Sequence, residues 1–191
     1  MICAEYYAFE FITVAAGTLG VIELASITMV YSYSTLLFMI ALGIQEGTCT
    51  LIGNCIGANN VPLAKQFYHL SAKITTVVAL LCSLITLLAR KPIVALITSD
   101  QNVQEMVEGL FILVSIMKLV DSFQCYLQGP IRAMGLQKAA SYWAIACYWV
   151  IGVPLSAILG LWKDFGTTGL FTGIVVGVFL QSTAYFFILM K

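Results

Sequence analysis

Six long apolar segments follow one another along the chain, separated by short polar breaks. A helix that crosses a bilayer needs about 20 mostly apolar residues, with roughly 17–25 tolerated. The segments fall near 1–18, 24–44, 68–88, 107–128, 141–161 and 169–189. The pattern predicts an all-α integral membrane fold, a six-helix transmembrane bundle formed as a single unit over 1–191. The second segment has the pattern to run on as helix beyond the hydrocarbon, because Gln45-Glu46-Gly47 is followed by another apolar stretch. Gly57-Ala-Asn-Asn-Val-Pro62 is a turn cluster that ends one helix and restarts the next. Ser99-Asp100 carries the residue types of a helix N-terminus, with Glu105 and Glu108 in the early turns that follow.

Composition agrees with the segment pattern. The chain is 61% hydrophobic and 9% charged, with a mean hydropathy of +0.98. A soluble domain has roughly 45–50% apolar and about 25% charged residues. Net charge is zero and there is no basic tail, which argues against a nucleic-acid partner. Six segments put both termini on one side. Lys65, Lys73, Arg132, Lys138 and Lys191 fall on that side and Arg90, Lys91 and Lys163 on the other, a bias that places the termini in the cytoplasm. The acidic residues Glu23, Asp100, Glu105, Glu108 and Asp164 fall on the opposite side from the termini. Met1 is followed directly by membrane-depth sequence with no basic leader or cleavage site, which suggests a chain beginning inside a larger protein. The six cysteines lie in or beside apolar segments and form no CxxC pair. With one histidine in the chain they argue against a zinc cluster, and they read as small buried hydrophobes. A phosphate-binding GxxxxGK[ST] loop, HExxH, GxSxG and a TVGYG filter are all missing, so an enzyme, a self-contained ATP-driven pump and a potassium-type pore have no support, and no metal or cofactor is expected.

The residues that break the apolar pattern carry the candidate chemistry. Glu5 and Glu10 lie inside the first segment, where a charge costs several kcal/mol unless a partner, a cavity or a proton relieves it. Protonation removes that cost, so such a group can load a proton on one side of a membrane and release it on the other. At about 100° per residue the two acids lie roughly 140° apart around the helix and cannot both point straight into one cavity. The plainer alternative is that one or both snorkel to the interface. Lys118 and Asp121 share a face of the fourth segment and can pair. They read either as a structural ion pair or as a cavity acid with a modulating lysine. Tyr6, Tyr7, Phe9, Tyr148 and Trp149 offer aromatic faces to an organic cation, or else belong to the interfacial belt. His69 reads as interfacial. Gly129-Pro130 is expected to break the end of the fourth helix, and Gly152 and Pro154 to interrupt the fifth, as hinges or as plain kinks. Gly166, Gly169, Gly173 and Gly177 give the small-residue spacing that lets helices approach closely.

Several stretches resemble one family in order and in spacing. Glu5-Tyr-Tyr-Ala-Phe-Glu10 is similar to the "EWWxFE" opening of the seventh helix in eukaryotic multidrug and toxic compound extrusion (MATE) transporters. Ile52-Gly-Asn-Cys-Ile-Gly-Ala-Asn-Asn60 resembles their "VGNxLGAGN" signature, which would give Gly53, Asn54 and Gly57 structural roles. Gly129-Pro-Ile-Arg-Ala-Met-Gly-Leu-Gln-Lys138 resembles "GxxRGxGxQK", with Gly129, Arg132 and Gly135 in its fixed positions. Tyr148-Trp-Val-Ile-Gly-Val-Pro154 resembles "YYxxGxP", and Gly166-Thr-Thr-Gly-Leu-Phe-Thr-Gly173 resembles "GxxGLWxG".

The resemblance implies one six-helix lobe, the C-terminal one, of a twelve-helix transporter with alternating access, its N-terminal lobe missing. It implies a secondary antiporter that exports small organic cations or xenobiotics in exchange for protons, in a plasma or vacuolar-type membrane. Glu5 and Glu10 match the family's seventh-helix acids and would couple protons. Asp121 falls where the tenth helix carries an acid, and with Tyr6 and Tyr7 it would bind substrate. The partners implied are the lipid bilayer, the proton, the cation and a missing lobe or a second copy. Some members carry a further acid in the eighth helix, where this chain has Ser32, and Lys118 adds a positive charge. These departures keep two alternatives open, an inactive or scaffolding membrane fragment and a lipid-linked or anionic cargo.

Overall fold

The computed structural model describes residues 2–163 and 165–190. Met1, Asp164 and Lys191, the last two of which entered the charge comparison, lie outside the described residues. The described residues form helices α1 (Ile2–Leu19), α2 (Val21–Gly57), α3 (Val61–Leu88), α4 (Arg90–Ile97), α5 (Gln101–Ala133), α6 (Gln137–Trp162) and α7 (Gly166–Met190). The fold is all-α, with one short helix more than the six expected. That helix, α4, has eight residues. At about 1.5 Å per residue it is far too short to cross a membrane. Pro92 sits in its first turn, where an N–H would lack a helical partner in any case. It buries Val94 in the main core and leaves Leu96 exposed.

Four helices, α2, α3, α6 and α7, are long and apolar enough to cross a membrane by length and composition. The other two long helices differ by their ionisable residues, Glu5 and Glu10 in α1 and Glu105, Glu108, Lys118, Asp121 and Arg132 in α5. α5 is nevertheless the most deeply placed element, packing against α2, α3 and α7, and it is buried almost continuously from Val114 to Ile131. α2 continues through Gln45-Glu46-Gly47 to Gly57 and has 37 residues.

The helix ends follow from local chemistry. Asp100 caps α5, its Oδ1 accepting from the N–H of Asn102 at 2.9 Å. At the end of α2, Asn59 takes a φ of 56°, and the Asn59 and Asn60 amides donate to the carbonyls of Ile56 and Cys55. This is a Schellman turn with asparagine in the left-handed position usually filled by glycine. Asn60 then accepts from the Leu63 amide and so caps α3. α5 ends in the same motif, with Gly135 at φ 74° and the Gly135 and Leu136 amides donating to Arg132 and Ile131.

The expected break at Gly129-Pro130 does not occur, since α5 runs through both residues to Ala133. Gly129 serves close approach instead: a Cβ there would lie 2.8 Å from the Gln45 carbonyl of α2. α6 runs without a break through Gly152 and Pro154, where the sequence pattern predicts an interruption; it has wider π-helical turns over Ala146–Gly152 and Ile158–Trp162, on either side of the α-helical Val153–Ala157. The Val153 amide donates to Tyr148, five residues back. A π turn of this kind re-phases the ladder just before a proline that has no N–H to contribute.

Gly169, Gly173 and Gly177 bring α7 against α6. A Cβ on Gly169 would meet the Leu159 carbonyl at 2.6 Å, and one on Gly173 would collide with the Ser156 backbone. Gly166 stands apart from this stripe, at a φ of 57° with open space around it. Lipid tails are as apolar as leucine, so helix association in a membrane rests on such packing and on polar bridges. The bridges include Tyr33 to Thr86 at 2.9 Å, Ser83 to the Ser115 carbonyl at 2.7 Å and Tyr126 to the Tyr68 carbonyl at 2.7 Å.

Gly173→Ala is expected to lower stability by about 1–3 kcal/mol, because the added methyl meets backbone and not a movable side chain. Gly53 lies inside α2 with nothing near its Cβ position, so Gly53→Ala should instead be neutral or stabilising by up to about 1 kcal/mol. Thermal unfolding in detergent measures both, and equal midpoints would refute the packing role of Gly173.

Candidate functional site

Glu5 is the centre of a buried polar cluster. Its side chain is 6% exposed, and its Oε1 accepts from the amide nitrogens of Gln124 at 2.9 Å, Gln128 at 3.1 Å and Gln181 at 2.8 Å. Oε2 takes none of these three bonds. Gln181 also bonds Tyr185, and all three glutamines are buried. Gln124 and Gln181 leave their amide oxygens buried without a partner, so these amides are oriented toward the carboxylate at the expense of their own acceptors.

The sequence reading missed these glutamines. The signal was present, because Lys118, Asp121, Gln124 and Gln128 are spaced three, three and four apart and form one polar stripe on an otherwise apolar helix. Gln181 is likewise a lone amide in the last apolar segment.

Beside Glu5, Lys118 Nζ donates to Asp121 Oδ2 at 2.7 Å, and both side chains are buried. The three ionisable residues line one cavity together with Tyr6 and Phe9 of α1, Tyr31 and Phe38 of α2 and Tyr148 of α6. Ser34, Thr35 and Met117 complete the wall. The aromatic faces are braced: Phe9 stacks on Tyr31 with centroids 5.7 Å apart, and Tyr6 meets Phe38 edge-on at 6.3 Å. The space for centres of water-sized molecules is about 40 Å³. Since one water needs roughly 10–15 Å³ on this measure, the cavity within this chain holds a few waters.

The structure therefore brings Glu5, Tyr6 and Asp121 together. It does not bring Tyr7 or Glu10 to them: Tyr7 is 66% exposed and Glu10 is exposed on the far side of α1, as the helical angle between the two acids requires. Trp149 is also outside the cavity wall, whereas Tyr148 is in it. Ser32 is exposed and absent from this wall, while its neighbours Ser34 and Thr35 belong to it.

The expected structural positions lie away from the cavity. Arg132 pairs with Glu46 and so ties the end of α5 to α2, while Asn54 and Gly57 are exposed near the end of α2. Cys125 is buried and donates its thiol to Gln45, but Cys3 is exposed, contrary to the reading of all six cysteines as buried. Among the described residues no group of three or more His, Cys, Asp or Glu is placed to hold a metal.

The family model MatE matches residues 1–158. The chain belongs to the MatE family. An uncharacterized transporter of Schizosaccharomyces pombe is 34% identical over 94% of this chain and 33% of its own length. Multidrug and toxin extrusion protein 1 of Homo sapiens is 25% identical over 97% of this chain and 32% of its own length. The crystal structure of the eukaryotic MATE transporter AtDTX14 covers the whole chain with a TM-score of 0.95 and 26% identity, using 43% of that protein. The chain thus spans about a third of the length of these curated relatives. Membership of the MatE family and the apolar helices make it part of a multi-pass membrane protein.

Within this member of the MatE family, breaking the buried ion pair from one side leaves an uncompensated charge. Asp121→Asn should destabilise the protein by about 3–5 kcal/mol, and Lys118→Met with Asp121→Leu should recover most of that loss. Thermal unfolding of the purified protein reads both, and an Asp121→Asn protein as stable as its parent would remove the structural role of the pair.

Proposed function

We propose that this chain is the C-terminal lobe of a proton-coupled antiporter that exports small organic cations or xenobiotics by alternating access. The observation that carries the reading is the cavity itself, in which the carboxylates of Glu5 and Asp121 share one aromatic wall. Aromatic faces and buried carboxylates are the groups that hold an organic cation away from water. The names of the relatives, among them Multidrug and toxin extrusion protein 1, support the same class of cargo.

In the proposed cycle Glu5 takes a proton from the extracytoplasmic side. Its neutralisation loosens a cation held against Asp121, Tyr6 and the neighbouring rings, and the lobe then rocks against a partner lobe. The π-helical turns of α6 on either side of Pro154 supply a place for that movement. Since the cavity is small and the chain spans a third of its relatives, the pathway is completed by an N-terminal lobe or a second copy. Glu10 and Tyr7, exposed on α1, are then available to that partner and not to this cavity. An anionic cargo is disfavoured, because two carboxylates face the cavity against one ammonium. Both termini are placed in the cytoplasm on the charge bias, and the host membrane is of plasma or vacuolar type.

Glu5→Gln in the whole gene product is expected to reduce pH-driven efflux by at least about tenfold, a loss of roughly 1.4 kcal/mol or more in the driving step, with membrane insertion unchanged. Dye efflux from vesicles under an imposed proton gradient measures this. Efflux equal to the parent's at a saturating gradient would sink the role of Glu5. No efflux by the parent protein would favour a scaffolding role.

A further inference from the structure

The lysine in the cavity has a consequence for the charge of the cargo. Lys118 and Asp121 sit one helical turn apart on α5, bonded at 2.7 Å, with Lys118 3% and Asp121 7% exposed. Because both belong to one helix, no movement of helices against each other separates them. Around the same cavity the described ionisable residues other than tyrosine are Glu5, Asp121 and Lys118, two acids and one base. With all three charged, the site carries one net negative charge. The Lys118 ammonium offsets one of the two carboxylate charges, and the amides around Glu5 are neutral and add none.

We propose that Lys118 is a resident counter-ion that selects cargo by charge, so that the cavity, once completed by the partner lobe or second copy, accepts singly charged organic cations and rejects doubly charged ones. This rests on the reading of the cavity as a cation site. A monocation brings the site to neutrality. A dication leaves one uncompensated positive charge among half-buried aromatic rings and the buried Met117 and Tyr148, where an unpaired charge is costly. Without the lysine the two carboxylates would match a dication.

The test is direct binding to the purified whole gene product, using two cations of similar shape, methyl-phenylpyridinium and the doubly charged methyl viologen. The unmodified protein is expected to bind the monocation at least about tenfold more tightly. Lys118→Met should raise methyl viologen affinity by about tenfold. Ser34→Asp adds an acid to the same wall with the ion pair intact and should raise it similarly, which covers the case in which Lys118→Met does not fold. Lys118→Arg, which keeps the charge, should not raise it. Equal binding of the two cations by the unmodified protein would overturn the role of Lys118, as would failure of both Lys118→Met and Ser34→Asp to gain methyl viologen affinity. Binding of neither cation by any variant would instead overturn the cation site on which the proposal rests.

Discussion

A carboxylate placed in the middle of a helix bundle must be met by donors or give up its charge, and the arrangement around Glu5 is organised by that requirement. Its Oε1 gathers amides from two other helices, Gln124 and Gln128 of α5 and Gln181 of α7. One oxygen thereby links α1, α5 and α7. The glutamines accept a cost in doing so, since two of their own carbonyl oxygens have no partner. Hydrogen bonds to a charged group are worth about 1.5–3 kcal/mol, against roughly 1 for neutral pairs, so the three on this carboxylate offset the cost of two orphaned amide oxygens at about 1–3 kcal/mol each. α5 carries most of this polar load, which is why the least apolar of the long helices is also the most enclosed.

The rest of the bundle is assembled by proximity. Where α7 meets α6, glycines remove side chains that would hold the backbones apart, and where α5 crosses α2, Gly129 does the same beside the Gln45 carbonyl. Tyr33, Ser83 and Tyr126 add hydrogen bonds between helices. These contacts frame a cavity in which the acids and the lysine share the wall with five aromatic rings.

Much of this was legible in the sequence, for reasons that can be named. Helical membrane segments announce themselves by length and apolarity, and the turn residues at Asn59, Asn60 and Asp100 act through local geometry that a sequence displays directly. Glu5, Tyr6 and Asp121 could be singled out because ionisable and paired aromatic residues stand out in an apolar run. Tyr7 shows the limit. It follows Tyr6 by one position and so points about 100° away, toward the outside. Tyr31 and Phe38 were not legible, because an aromatic residue in an apolar helix looks the same whether it faces lipid or a cavity. The glutamines were overlooked for a related reason: they are neutral, and only their spacing on α5 distinguishes them from scattered polar residues. The short α4 was missed because Arg90 and Lys91 look like a loop between spans.

The convergence of three amides on one oxygen also breaks the symmetry of the Glu5 side chain. A free carboxylate has two equivalent oxygens, and an arriving proton can settle on either. Here Oε1 already receives three N–H groups, its lone pairs are engaged, and adding an O–H would require displacing at least one glutamine. The remaining basic position is Oε2. The bundle has thus chosen the atom, and with it the direction of approach, for any proton that Glu5 takes up, before that proton arrives.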